Sequence, residues 1–85
     1  MAGQLIGHVT HWYGHNLVAG VHMDEGELRE GDVVHILGHT SDVEQAVGSI
    51  EIEHQRVDAA HPGEEIGIKV GEHVREHDKV YRLLH

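Results

Sequence analysis

Apolar and polar residues alternate with a period of two along most of the chain, and apolar spacings of three and four are rare. That pattern predicts strands with one buried face rather than amphipathic helices. The run from Leu5 to Tyr13 places Val9, His11 and Tyr13 on one face and His8, Thr10 and Trp12 on the other. Gly14, His15 and Asn16 supply turn chemistry, since Gly and Asn tolerate positive φ. Leu17 to Met23 then returns with Ala19, Val21 and Met23 inward. A three-residue loop sets Val9 opposite Val21 and Tyr13 opposite Leu17. A slip of one residue would turn every apolar side chain to water, so the agreement between loop and pattern predicts a hairpin.

Asp24 to Glu27 and Glu30-Gly31-Asp32 read as turns, Val33 to Leu37 as a strand closed by Gly38, and His39 to Asp42 as a loop. Glu44 to Glu53 reads as strand, with Val47 and Ile50 three apart, so a bulge near Gly48-Ser49 is expected to turn both inward. After the turn His61-Pro62-Gly63, Ile66, Ile68 and Val70 alternate, and a last strand runs from Lys79 to Leu83. Leu28-Arg29-Glu30-Gly31-Asp32-Val33-Val34 and Val74-Arg75-Glu76-His77-Asp78-Lys79-Val80 echo one another: apolar, Arg, Glu, turn residue, Asp, any residue, Val. Both are read as tight corners feeding a strand. About six short strands without a covering helix must hide their edges, and closure into a barrel does so. Two small open sheets packed face to face are the alternative.

Composition narrows this picture. Residues 1–85 suffice for one domain, and with no Phe the core must be built from Val, Ile and Leu. With no Cys there is no disulfide, iron–sulfur cluster or thiolate zinc site. No apolar run approaches the ~20 residues of a membrane helix and no signal pattern opens the chain, so a cytoplasmic protein without membrane contact is expected. Fifteen acids against six Lys and Arg give a net charge of −9, which disfavours DNA as a partner. Protonating all eleven His would carry −9 to about +2 near pH 5.

Catalytic chemistry is not apparent. There is no Gly-x4-Gly-Lys-Ser/Thr loop, no Gly-x-Ser-x-Gly elbow and no thiol, and Glu51 with Glu53 or Glu64 with Glu65 read as solvated residues. A non-enzyme is expected. In the hairpin register, His8 opposes His22 on the outer face with Cβ atoms ~4.5–5.5 Å apart, close enough to share a zinc ion. Glu51, Glu53 or His35 is the candidate third ligand. His73 and His77 have helical spacing but a loop setting. His35, His39 and His54 read as structural, and His11 as a core histidine bonded to backbone. Outward Trp12 would face Val18 beside the His pair, a contact patch for a nucleobase, a protein partner or a second copy of the chain. His85 is read as a remnant of an expression tag.

Several segments, taken in order, carry a family resemblance. They are Gly7-His8-Val9-Thr10-His11, Val21 to Met23, Leu28-Arg29-Glu30-Gly31-Asp32, Ile36 to Thr40, Val47-Gly48-Ser49-Ile50-Glu51-Ile52, Gly63 to Ile68 and Val74-Arg75 with Asp78 to Tyr81. The series resembles domain 2 of elongation factor Tu and the stand-alone translation elongation factor-like proteins. A similar barrel resembles the C-terminal domain of U32 peptidases. The resemblance implies an all-β, closed, six-stranded, Greek-key-like barrel. It also implies a non-catalytic binding module that contacts tRNA, rRNA or a translation protein. Glu51, between Ile50 and Ile52, matches the glutamate at the pocket for the terminal adenosine of tRNA. His77 departs from the pattern, standing where Gly is usual. An interaction or oligomerising barrel working through the first hairpin, and a histidine-based metal protein, are the alternative functions.

Overall fold

The computed structural model describes residues 3–83, so the reading of His85 falls outside the described residues. Alternation produces strands as expected: β1 (Gly3–Tyr13), β2 (Val18–Met23), β3 (Leu28–Arg29), β4 (Val33–Leu37), β5 (Asp42–Ala46), β6 (Ile50–Ile52), β7 (Gln55–Val57), β8 (Ala59–Ala60), β9 (Glu65–Lys69) and β10 (Lys79–Leu83). The fold is all-β among the described residues, as the alternation requires.

Eight strands form one sheet in the order β5-β4-β10-β1-β2-β9-β6-β7, and β3 pairs with β8 in a separate ribbon. The expected closed ring of six strands is therefore corrected. No ladder joins β5 to β7 among the described residues, and the sheet is open in its hydrogen bonding. It is nevertheless strongly curled. Residues 47–49, which reach about 10 Å at full extension, carry the chain from edge strand β5 to β6, one strand in from the opposite edge. No bulge is needed to bury Val47 and Ile50, because each lies at one side of this crossing. Gly31 N–H donates to Val47 O and Val47 N–H to Asp32 O, both at 2.8 Å, which prolongs the β4–β5 pairing beyond Val33 and Ala46. Ties toward the far margin are scattered: Glu30 N–H donates to Asp58 O at 3.2 Å. The Gln45 amide donates to Lys69 O at 2.8 Å and accepts from Gly71 N–H at 2.9 Å.

The inward faces converge on one aliphatic core that includes Ile6, Val9, Val21, Met23, Leu28, Val34, Ile36, Ile50, Ile68 and Val80, all but sealed from solvent. Each such side chain contributes about 1.5–3 kcal/mol of transfer free energy.

The first hairpin forms with Val9 opposite Val21 and His8 opposite His22, but an extra residue at Thr10 shifts the register. Beyond it His11 faces Gly20, Trp12 faces Ala19 and Tyr13 faces Val18. Two residues against one turn the strand over. His11 and Tyr13 therefore point to solvent, Tyr13 being 49% exposed, while Trp12 packs against the core. The turn takes its positive φ at Leu17 (56°), not at Gly14 or Asn16.

The two echoing corners are built alike. In one, Asp32 N–H donates to Arg29 O at 3.0 Å while Arg29 N–H donates to the Asp32 carboxylate at 2.9 Å. In the other, Asp78 N–H and Arg75 O stand at 3.1 Å, and Arg75 N–H reaches the Asp78 carboxylate at 2.9 Å. The third residue has positive φ in both, Gly31 at 93° and His77 at 77°.

Candidate functional site

The ladders set His11, Gly20, Gly67, Glu51 and Arg56 side by side in one row across β1, β2, β9, β6 and β7. Ala19 and Val21 face the core, so Gly20 and Gly67 face outward, and two neighbouring strands carry no side chain there. The result is a trough of ≈ 280 Å³ floored by backbone. The Tyr13 ring stands over one end, its Cε2 3.5 Å from where a Cβ on Gly20 would lie, and Val18 lies beside Gly67. Opposite stand Glu51, the β6–β7 turn of Glu53 and His54, and Glu65. That turn holds φ of 51° at Glu53 and 66° at His54. Both signs are what a two-residue hairpin loop requires, although Asn and Gly are the usual occupants.

No Lys or Arg lines the trough. Arg56, opposite Glu51 in the ladder, turns to Glu30 instead, with Nε and Nη2 donating at 2.8 and 3.3 Å. That hydrogen bond holds the Glu30 carboxyl below its ordinary range and raises the Arg56 guanidinium. The trough is thus acidic, with an aromatic wall and a floor of peptide backbone that is covered at Gly20 and part-exposed at Gly67.

Of the residues singled out in the sequence, Glu51 and Val18 lie in this trough. Trp12 does not share a patch with Val18. It faces the core, and its ring stacks on His73 with centroids 5.4 Å apart and planes at 20°. His8 and His22 are neighbours, with ring centroids 5.5 Å apart. His8 Nδ1 lies 2.8 Å from Asp24 Oδ2, His22 Nε2 lies 3.7 Å from Asp24 Oδ1, and His22 Nδ1 contacts Glu65. Among the described residues no three His, Cys, Asp or Glu side chains are arranged to hold a metal ion. Glu51 and Glu53 lie in the trough, and His35 is bonded to Asp42 at 2.5 Å. The glycine pair, Tyr13, His54 and Glu65 went unrecognised in the sequence. A Gly inside an alternating strand pattern, as at 20 and 67, is the signal that marks such a floor.

A curled antiparallel sheet with a backbone-floored trough on its outer face defines a small all-β domain. The family model of elongation factor Tu domain 2 matches residues 17–80, and the chain belongs to that family. An uncharacterized protease of Methanocaldococcus jannaschii is 39% identical over 79 residues, covering 92% of this chain and 19% of that protein. A collagenase of Porphyromonas gingivalis is 36% identical over 100 residues, covering 95% of this chain and 24% of that protein. The chain therefore spans about a fifth to a quarter of the length of these relatives. In three dimensions it matches the C-terminal domain of a Geobacillus thermoleovorans protein assigned to the U32 peptidases. The TM-score is 0.87 at 23% identity, covering 95% of this chain and 93% of that one.

These matches correct the translation-factor reading. The sequence relatives are a protease and collagenases, and the matching solved domain comes from a U32 peptidase. One fold serves unrelated tasks, so resemblance to elongation factor Tu carries the architecture without the tRNA-binding role. No helix among the described residues is long and apolar enough to cross a membrane.

Proposed function

We propose that this chain is a non-catalytic accessory domain of the U32 peptidase kind, and that its trough holds an extended, positively charged stretch of polypeptide. The observation that carries this reading is the side-by-side pair Gly20 and Gly67, which leaves a floor without side chains between Tyr13 and a wall of carboxylates, open to solvent at Gly67. An extended peptide can lie on such a floor, where a side chain would hold it off, and Glu51 and Glu53 favour Lys or Arg over acidic residues. The protease and collagenase relatives supply the class of partner.

The test is a fluorescence-anisotropy titration of the 85-residue protein with a labelled Lys-rich extended peptide and a Glu-rich peptide of equal length. The Lys-rich peptide is expected to bind at least about tenfold more tightly, a difference of ~1.4 kcal/mol. Glu51→Gln with Glu53→Gln removes that preference, and Gly67→Val weakens both peptides by filling the floor. Equal affinities in all three proteins, or no binding at all, overturn the reading.

A further inference from the structure

The few cations of this acidic chain are unevenly committed. Arg29 is paired with Glu27 at 3.0 Å, Arg56 with Glu30 at 2.8 Å, and Arg82 lies 3.8 Å from Asp32. Lys69, Arg75 and Lys79 make no ion pair among the described residues, and the last two line one cleft of ≈ 550 Å³ at the second Arg-Glu-x-Asp corner. Two acids, Glu76 and Asp78, line the same cleft, and each is drawn in part to another group. Asp78 is 7% exposed and its carboxylate accepts Arg75 N–H, while Glu76 reaches to 4.0 Å from His11. Arg75 Nε donates to Thr40 Oγ1 at 2.8 Å, which anchors the guanidinium and leaves its terminal nitrogens unengaged among the described residues.

The first corner is an internal control. It has the same backbone bonds, but Glu27 neutralises Arg29 and the positive-φ position is Gly31. In the second corner the arginine has no such partner, and a histidine occupies the left-handed position at φ 77°. A side chain there is strained where glycine is not. The strained backbone sets His77 at the cleft beside His39 and Tyr81.

We infer that this cleft binds an oxyanion, carboxylate or phosphate, carried by a ligand or partner. Arg75 supplies a planar fork of donors and Lys79 a point charge. His39, His77, Thr40 and Tyr81 bring further donors around the same space. The cleft shares no lining residue with the trough, so the inference stands independently of the peptide reading.

Amide NMR titrations of the 85-residue protein with inorganic phosphate, and separately with acetate, at ionic strength held constant with sodium chloride, test it. Saturable shifts confined to residues 38–41 and 75–79 are expected. Saturation by phosphate alone assigns a phosphate-bearing ligand, and saturation by both assigns carboxylates to the site as well. Arg75→Gln is expected to weaken phosphate about tenfold, as loss of a charge-assisted hydrogen bond does. His77→Gly is expected to raise the melting temperature while lowering phosphate affinity several-fold, which separates a binding role from a structural one. Non-saturating drift, shifts spread over the whole surface, or affinities unchanged in both variants overturn the inference.

Discussion

Gly38 sits where the fold has room for a hydrogen atom and nothing larger. A Cβ there would lie 1.9 Å from Asp78 Oδ1 and 2.6 Å from its Cγ, and that carboxylate is buried because it ties the second corner. Gly38→Ala is expected to cost about 3 kcal/mol, the upper end for overpacking, because the alternative is to expel a bonded carboxylate. Gly48→Ala, with nothing within 4 Å of the added carbon, is the control and should leave the urea midpoint nearly unchanged. At this scale much of the chain was legible in the sequence. Ala19, Val21 and Met23 are buried as the alternation requires. Past Thr10 the reading inverted, because Trp12 and Tyr13 are both amphipathic and the pattern cannot tell which of them turns inward.

Among the elements, the β6–β7 hairpin was illegible for a similar reason. Glu53 and His54 adopt the two positive φ angles without the Asn or Gly that would announce them, so the strand read from Glu44 stops at Glu53 and Gln55–Val57 goes unread as its partner. That hairpin forms a sheet edge and is fastened by Arg56 to Glu30. The Glu30 carboxyl titrates below its ordinary range in the folded protein. Its contribution is therefore present above the unfolded carboxylate value and is lost as pH falls through the folded one. The pair is exposed, so the effect is small. Urea midpoints of the parent and Arg56→Gln should differ slightly at neutral pH and converge in acid. A gap that persists at low pH would show that Arg56 acts by packing instead.

For the whole molecule, the sequence announced an all-β shell and could not announce its seam. Closure was inferred from the need to hide edges, but the structure hides them with the 47–49 crossing, the β3–β8 ribbon and side-chain ties in place of a last ladder. Gln45 makes two of those ties, both to backbone, and nothing in an alternating pattern distinguishes it from an ordinary outward residue. Gln45→Leu is expected to cost about 1–2 kcal/mol at ~1 kcal/mol net per bond lost, read from thermal or urea unfolding. A change below about 0.3 kcal/mol would mean that water replaces the amide without loss. The trough was hidden likewise, because its floor consists of two residues from distant segments that only strand pairing makes adjacent.

A shell whose margins meet without exchanging a continuous series of backbone bonds has a built-in line of least resistance. The earliest excursions from the native state should run along the boundary where Gln45 meets Lys69 and Gly71, prising the rim apart while the aliphatic interior stays sealed. A ligand or neighbouring chain that gripped both lips at once would act as a clasp. It would steady the entire domain without touching its core.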